Sequence, residues 1–294
     1  MKPPPFDYAA PESVDGVLDL LKEAPGETSL LAGGQSLIPI LNMRMGQPQL
    51  IVDLNRVAGL DAIVEGPKGR IRLGAMVRQR RLETEPLVRD RLPLMTEAAR
   101  HIAHLAIRMR GTVGGSLAHA DPASELPATI SALDARLLVR GRNGEREIPP
   151  GDFFLGPLTS AIEPGELLVG IEVEALAPGT GWSFIEVART HGAFALAGAA
   201  AVLRLDEGGT IERARVALTG VGGVPYVPAW LDESVVGQPP DATLFGRVGD
   251  RVRDEVEPFE DIHASSEYRK RVAGVLTARA LAAAASRANG GRAA

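Results

Sequence analysis

The interpretation of this sequence depends on two glycine-rich stretches: LAGGQSLIP at residues 31–39 and RGTVGGSLAHADPA at residues 110–123. The first follows a short apolar run that predicts a buried strand, and the second follows a stretch with helical spacing. Glycine lets the backbone approach a ligand closely, and successive free N–H groups form a concavity that binds anions. Both stretches also carry neutral hydrogen-bond donors, namely Gln35, Ser36, Thr112 and Ser116. Together they favour a diphosphate that is held by amide dipoles rather than by lysine.

Each stretch taken alone is weak evidence, because a Gly-Gly pair near a turn is more often plain turn chemistry. The sequence contains no GxxxxGK(S/T) motif, which argues against a P-loop. A third glycine cluster at residues 220–223 follows a predicted strand, but Pro225 and Pro228 prevent an immediate helix. This arrangement argues against a Rossmann dinucleotide turn at that position.

The composition limits the possible classes of function. The chain has 294 residues, 45% of them hydrophobic and 23% charged, as in ordinary globular proteins. Its net charge of −5 argues against nucleic-acid binding, which needs a basic surface. It has no cysteine, so any redox chemistry must come from a bound organic cofactor or from a partner chain. No apolar run is long enough to span a membrane, and the amino terminus lacks the apolar core of a signal peptide.

The pattern of predicted elements divides the chain at residues 175–181, a linker that contains Pro and Gly. Before the linker we expect a strand–turn–helix–strand unit within the first sixty residues and a hairpin at Asn143-Gly144. We also expect a short helix or irregular turn interrupted at Pro39, and a single helix over residues 93–107. After the linker we expect three strands followed by helices: strands at 182–189, 197–205 and 211–219, and helices at 229–235, 242–256 and 267–288. Residues 289–294 are expected to fray.

Other candidate sites have simpler structural explanations. His101 and His104 could share a metal on one helix face, but no third ligand lies at a useful spacing. His119, Asp121 and Glu125 could form a small catalytic or metal-binding set. A turn at Asp121-Pro122 is the simpler explanation, followed by a helix that Ser124 caps and that carries Glu125 in its first turn. The basic run at residues 78–81 is most simply a solvated helix face, with a nearby partner chain as the alternative. No Gly-x-Ser-x-Gly elbow is present, so a serine hydrolase would lack its nucleophile.

The opening MKPPPFDYAAPES, together with the two glycine stretches in this order, resembles one family. It is the FAD-binding medium subunit of the molybdenum hydroxylases, typified by aerobic carbon monoxide dehydrogenase and related to the FAD-binding subunit of xanthine dehydrogenase. The resemblance covers residues 1–174 and continues more weakly through residues 184–200 and 218–223. The combination of both motifs is far more specific than either motif alone.

The resemblance implies an α+β fold with three parts. Residues 1–176 would form a vanillyl-alcohol-oxidase-like (PCMH-type) FAD-binding domain made of two α/β subdomains, at about 1–57 and 58–176. Residues 177–294 would form a carboxy-terminal domain like that of carbon monoxide dehydrogenase flavoproteins. That domain would contain a three-stranded antiparallel sheet and a helical bundle, in agreement with the strands and helices predicted from the residues.

The resemblance also implies which residues contact FAD. The first diphosphate loop would comprise Leu31, Ala32, Gly33, Gly34, Gln35, Ser36 and Leu37, and the second Thr112, Val113, Gly114, Gly115 and Ser116. Glu125 would hold the ribityl or ribose region, Leu168 would lie near the end of the second subdomain, and Phe194 would lie beside the isoalloxazine. Family members often carry an arginine pair and an Asp-aromatic-Ala run near Phe194. Here Thr190 and Ala193 replace the second arginine and the aspartate.

The function implied by this resemblance is electron transfer within a molybdenum hydroxylase. A large subunit would carry molybdopterin and a small subunit two-iron two-sulfur clusters, in a dimer of heterotrimers. The FAD of this chain would pass electrons to a final acceptor, which we leave open among a quinone, oxygen and NAD. No catalytic acid or base and no metal is assigned to this chain, and we expect it in the cytoplasm or at the inner face of the membrane. The alternatives are a free-standing FAD-dependent oxidoreductase and a non-enzymatic nucleotide-binding or assembly module.

Overall fold

The amino-terminal part of the computed structural model, which describes residues 2–23 and 26–290, is a small α/β unit. Its three strands form a parallel sheet in the order β1-β3-β2. The elements are β1 (Asp7–Ala9), α1 (Val14–Glu23), β2 (Thr28–Leu31), α2 (Leu37–Asn42) and β3 (Leu50–Asp53). The hydroxyl of Ser13 accepts a hydrogen bond from the Gly16 amide at 3.1 Å and so caps α1.

Helix α2 continues through Pro39 without the interruption expected from the sequence. Pro39 is the third residue of the helix, where the backbone N–H has no partner within the helix. The missing N–H therefore breaks no hydrogen bond, and the fixed φ of proline suits the first turn.

The second subdomain is built on a five-stranded antiparallel sheet in the order β4-β5-β10-β6-β7. Its elements are β4 (Ile63–Glu65), β5 (Arg70–Gly74), α3 (Gln79–Thr84), α4 (Pro86–Arg91), α5 (Pro93–Ala99), α6 (Leu105–Arg108), α7 (Val113–His119), α8 (Glu125–Ala132), β6 (Arg136–Gly141), β7 (Gly144–Ile148), α9 (Pro150–Phe153), β8 (Phe154–Gly156), β9 (Thr159–Ser160) and β10 (Leu167–Glu174). The predicted hairpin at Asn143-Gly144 is confirmed, and Gly144 has a φ of +123°. The helices α5 and α8 cover the side of this subdomain that meets the carboxy-terminal domain.

The single helix expected over residues 93–107 is wrong, because the chain breaks between α5 and α6. Ala103 has a φ of +38°, which an α-helix does not allow. The buried guanidinium of Arg108 donates to the carbonyls of Ile102 and Ala103 at 2.8 and 3.1 Å, and it pairs with Glu83 at 2.7 Å. This cation satisfies carbonyl groups that a continuous helix would have paired with amides.

The carboxy-terminal domain packs three helices against a three-stranded antiparallel sheet, β11-β12-β13. The elements are β11 (Thr180–Ala188), β12 (Ala195–Leu205), β13 (Ile211–Thr219), α10 (Leu231–Val235), α11 (Ala242–Glu255) and α12 (Ser266–Gly290). The expected α+β architecture is therefore confirmed. Asn289 and Gly290 are helical, so the fraying expected there is wrong, and residues 291–294 lie outside the described residues. No helix of the described chain has the length and hydropathy needed to cross a membrane.

The two faces of the carboxy-terminal sheet contact different parts of the molecule. Leu203, Ala214 and Val216 belong to the core formed with the helices of the same domain. Phe184 and Ala200 belong instead to the core of the second subdomain. The sheet therefore lies between its own helices and the second subdomain, and the β11–β12 hairpin lies beside that subdomain.

Candidate flavin site

The structure brings the two glycine stretches into direct contact, although they come from different subdomains. A Cβ atom at Gly33 would overlap the carbonyl oxygen of Arg110 and lie 2.7 Å from the Cα of Gly111. A Cβ atom at Gly115 would lie 3.3 Å from the Cβ of Ala32. Glycine at position 33 is thus required by the close approach of the second stretch, and together the stretches form one continuous surface.

The first stretch offers a row of unpaired amides. No backbone N–H of residues 33–37 donates to another group of the described chain. Gly34 has a φ of +73°, which turns the chain so that the Ile38 amide can donate to the Gly34 carbonyl and start α2. Successive amides of this kind can form an anion-binding concavity, so the geometry of this stretch suits a diphosphate.

The second stretch has a different geometry from the free loop that the sequence suggested. Residues 113–116 form the first turn of α7, with Thr112 as the N-cap whose hydroxyl accepts from the Gly115 amide at 3.0 Å. The Val113 and Gly114 amides donate to the carbonyls of Val77 and Ala75 at 2.9 and 2.8 Å. The free amides expected in the second stretch are therefore absent for residues 113–116 within the described chain. Its polar contribution comes from hydroxyl groups and from the positive end of a helix.

A hydrogen-bonded network that sequence reasoning missed holds the two stretches together. The Arg78 guanidinium donates to the Arg110 carbonyl and to Asn55 Oδ1, both at 2.5 Å. The Asn55 side-chain amide in turn donates to the Ala32 carbonyl at 3.1 Å. Burial, followed by the nearby positive charge of Arg110, lowers the pKa of Arg78. The solvated-face interpretation of residues 78–81 is therefore wrong for Arg78, and only the tertiary contact reveals its role.

The network continues away from the stretches through Asp53. Asp53 accepts hydrogen bonds from the Tyr8 hydroxyl at 2.6 Å and from the Asn55 amide at 2.8 Å. Burial raises the pKa of Asp53, but these donors outweigh burial and leave its pKa below the ordinary value. Asp53 therefore stays ionised and fixes the position of Asn55.

Glu125 lies in a buried acidic cluster at the start of α8, with only 7% of its surface exposed. Burial, followed by the negative charge of Glu186, raises its pKa to about 8. His101 lies 3.4 Å from Glu186, and this hydrogen bond raises the pKa of His101. At neutral pH the Glu125 carboxyl is thus mostly protonated, and it can donate as well as accept a hydrogen bond.

Leu168 and Phe194 lie in contrasting surroundings. Leu168 is buried in β10, next to Val169, whose carbonyl accepts from the Ala75 amide behind the second stretch. Phe194 is 70% exposed at the tip of the β11–β12 hairpin. The hairpin tip is anchored because Gly192 packs on the ring of His104, leaving no space for a Cβ atom there.

The hydrogen-bonding and aromatic groups of the described residues are of the kinds that FAD needs. A run of unpaired amides faces a helix N-terminus capped by Thr112, and this arrangement suits a diphosphate. A neutral carboxyl at Glu125 and an exposed aromatic ring at Phe194 are groups that can contact a sugar hydroxyl and a flat ring system. Within the described ranges, no group of three His, Cys, Asp or Glu residues could hold a metal ion.

Two family models match this chain, one in each half. The family described as "FAD binding domain in molybdopterin dehydrogenase" matches residues 4–174, and the "CO dehydrogenase flavoprotein C-terminal domain" matches residues 182–284. The 6-hydroxypseudooxynicotine dehydrogenase complex subunit alpha of Paenarthrobacter nicotinovorans is 41% identical, over 98% of this chain and 97% of that protein. The caffeine dehydrogenase subunit beta of a Pseudomonas species is 39% identical, over 98% of this chain and 97% of that protein.

A solved structure shows the same fold over the full length. The carbon monoxide dehydrogenase of Hydrogenophaga pseudoflava, in a form that lacks the Mo-pyranopterin moiety of its molybdenum cofactor, matches with a TM-score of 0.94. The identity is 37%, and the match covers 98% of this chain and 99% of the solved one. The chain therefore belongs to the family of FAD-binding flavoprotein subunits of molybdopterin dehydrogenases, which are oxidoreductases.

Proposed function

We propose that this chain is the electron-transfer subunit of a molybdenum hydroxylase complex and that FAD is bound across its two glycine stretches. The row of unpaired amides at residues 33–37, placed against the second stretch, is the observation that carries this proposal. A diphosphate there would gain several hydrogen bonds without displacing any that the described residues already make. The affiliation to dehydrogenase flavoproteins supports the same cofactor.

The chain's own residues would hold the diphosphate of the cofactor between the two stretches. The amides of residues 33–37 would bind the diphosphate, together with the hydroxyls of Ser36, Thr112 and Ser116. The backbone around Val113, Gly114 and Gly115 would form the second wall, since the glycines allow close approach. These contacts are neutral, so the dipoles of amides, hydroxyls and α7 would offset the phosphate charge.

The remaining proposed contacts fix the sugar and the ring. Glu125, protonated at neutral pH, would hydrogen-bond a ribityl or ribose hydroxyl without placing a second negative charge near the diphosphate. Leu168 would form part of the apolar floor, and Phe194 would cover one face of the isoalloxazine. The bound flavin supplies the one- and two-electron chemistry, and the protein binds, orients and tunes it.

Electrons would reach this chain from two-iron two-sulfur clusters on a small partner subunit, after substrate oxidation at molybdopterin on a large subunit. They would leave to a final acceptor. The proposed assembly is a dimer of heterotrimers, in the cytoplasm or at the inner face of the membrane. The absence of cysteine from this chain supports the part of the proposal that assigns the clusters to a partner.

Reduction of the flavin in the assembled complex tests this role. In an anaerobic stopped-flow experiment, substrate of the large subunit should bleach the flavin of the complex and leave the flavin of the isolated chain oxidised. Bleaching of the isolated chain by the same substrate would instead favour a free-standing oxidoreductase. A complex whose activity is independent of flavin would contradict the proposal.

A further inference from the structure

A second cavity, of about 160 Å³, lies between the sheet of the second subdomain and the sheet of the carboxy-terminal domain. None of the residues proposed to contact FAD lines it. Its charged lining residues are Arg70, Arg136, Arg204, Arg213 and Arg215 on the basic side, with Asp134, Glu172 and Glu174 on the acidic side. Five positive charges against three negative ones make this cavity basic, in a chain whose net charge is −5.

The carboxy-terminal wall of the cavity carries most of the excess charge. Arg204 and Arg213 are directly opposite each other on β12 and β13, so both side chains leave the same face of the sheet. Arg215 is two residues further along β13 and lies on that face as well. Like charges directly opposite each other destabilise a sheet, so this arrangement is costly unless nearby carboxylates or a bound anion offset the repulsion.

The acidic side chains nearby neutralise only part of this wall. Asp134 lies 3.1 Å from Arg215, and Glu212 lies 2.7 Å from Arg204. Arg213 has no ion pair with any residue in the described ranges. Arg213, which is exposed, is therefore the one arginine of this wall without an ion-pair partner in the described ranges.

Two guanidinium groups of the wall also have spare donors. The Nε atoms of Arg204 and Arg215 are buried and have no hydrogen-bond partner within the described chain. Buried donors are normally paired, so each such atom calls for a partner such as an ion. Oxyanions suit this role because a guanidinium binds them with short, charge-assisted hydrogen bonds.

We propose that this cavity is an anion site that takes a small phosphate-type oxyanion and ties the carboxy-terminal domain to the FAD-binding domain. The volume is close to that of a cavity of about 150 Å³ that holds benzene, and it is below the range of about 300–1,000 Å³ for drug-sized ligands. Inorganic phosphate or pyrophosphate fits this volume, and a whole nucleotide does not. Arg213 is the residue whose charge the anion compensates.

Phosphate binding to the full-length, FAD-loaded chain tests the proposal. In isothermal titration against inorganic phosphate, with sodium chloride at the same ionic strength as reference, the wild-type chain should bind one phosphate. Arg213→Ala should weaken the affinity at least about tenfold, which equals about 1.4 kcal/mol. Arg247→Ala is the matched control, because Arg247 is exposed on α11 and lies outside the cavity lining.

Thermal unfolding supplies a second measurement that a general salt effect would not reproduce. Without phosphate, Arg213→Ala should melt at the same temperature as the wild type or higher, because a repulsive pair is removed. With phosphate, the wild-type chain should gain a few degrees, as expected for a ligand that binds only the folded state, and the variant should gain none. If Arg213→Ala does not fold, Arg213→Gln replaces it.

Two outcomes would overturn this proposal. One is a wild-type chain that responds to phosphate no more than to chloride. The other is an equal loss of phosphate affinity in Arg213→Ala and Arg247→Ala, which would show that only the net charge matters. Neither outcome bears on the glycine stretches, because the cavity and the proposed FAD contacts share no residue.

Discussion

At the scale of single residues, the glycines of the two stretches serve different physical needs. Gly33 is required because the second stretch approaches too closely for a Cβ atom, whereas Gly34 is required by its φ of +73°. Gly115 lies in the first turn of α7, and a Cβ there would be 2.7 Å from the Thr112 hydroxyl oxygen. A motif that looks uniform in the sequence therefore combines close packing, chain reversal and helix capping.

A charge at Gly115 should abolish FAD binding. Gly115→Asp would place bulk against the capping hydroxyl of Thr112 and negative charge beside the proposed diphosphate. The purified variant is expected to carry almost no flavin, measured as the ratio of visible flavin absorbance to protein. Gly246→Asp is the control, because its helical position on α11 has open space for a side chain, and it should keep the wild-type flavin content. Stoichiometric flavin in Gly115→Asp would show that the second stretch is misplaced.

The Glu125 carboxyl should make stability depend on pH in a defined direction. The folded-state pKa of Glu125, about 8, lies above its ordinary value of 4.5. The folding stability that the protonated carboxyl contributes is therefore fully present below about pH 4.5 and is lost as the pH rises through 8. Glu125→Gln should therefore unfold at about the same denaturant concentration as the wild type at pH 4, below both pKa values. At pH 9 it should be more stable, by up to a few kcal/mol, since each pKa unit equals about 1.36 kcal/mol.

Urea unfolding of both proteins at pH 4 and pH 9 measures this difference. Glu186 and His101 face the same carboxyl, and both remain in the variant, so the comparison isolates Glu125. A stability difference that stays constant between the two pH values would contradict the raised pKa of Glu125.

At the scale of elements, the hydrogen bonds of Arg78 join segments that are distant in the sequence. This side chain precedes α3, and it holds the Arg110 carbonyl directly and the Ala32 carbonyl through Asn55. The position of one stretch relative to the other thus depends on a residue outside both. This explains how two short motifs from separate subdomains can form one surface.

Loss of this connection should weaken FAD binding without unfolding the chain. Arg78→Ala leaves Asn55 and the Arg110 carbonyl without their donor, so the two stretches should be held less firmly. We expect the FAD dissociation constant to rise by about tenfold to a hundredfold, which is the effect expected from the loss of one or two charge-assisted hydrogen bonds. Flavin fluorescence titration measures it, and Arg89→Ala, an exposed arginine on α4, is the control. Equal affinities in the two variants would contradict the positioning role of Arg78.

The elements also show what could and could not be predicted from sequence. The three strands of the carboxy-terminal sheet and the hairpin at Asn143-Gly144 were predictable, because alternation and turn chemistry are local signals. The break between α5 and α6 was not, since it depends on a buried Arg108 that satisfies carbonyls from a distance. The first turn of α7 was missed because glycines have low helix propensity, and the tertiary bonds to Val77 and Ala75 override it.

At the scale of the whole molecule, the carboxy-terminal domain shares a hydrophobic core with the FAD-binding domain. Phe184 is 2% exposed and belongs to the core of the second subdomain, together with Ala200 and Ala217. Arg287 of α12 donates to Glu97 of α5 at 2.5 Å and to the Trp182 carbonyl at 2.6 Å. The two domains should therefore unfold together in a single transition.

Truncation of Phe184 should separate the unfolding of the two domains. Phe184→Ala should cost about 3–5 kcal/mol, typical of a buried phenylalanine, and the loss falls on the contact between domains. Both tryptophans, Trp182 and Trp230, lie in the carboxy-terminal domain, so their fluorescence reports on that domain while flavin release reports on the other. The two signals should coincide in the wild type and diverge in the variant. Phe259→Ala, at a 66% exposed position, should change neither signal, and a variant Phe184→Ala that still unfolds in one unshifted transition would contradict the shared core.

The most direct test of the central claim is affinity purification of this chain from its native cells, with analysis of the co-purifying proteins and of the visible spectrum. We predict one FAD per chain, together with a large subunit that contains molybdenum and a small subunit that contains two-iron two-sulfur clusters. A chain that emerges alone, yellow and able to turn over a substrate would contradict the subunit role. A colourless chain without flavin would contradict the FAD site itself.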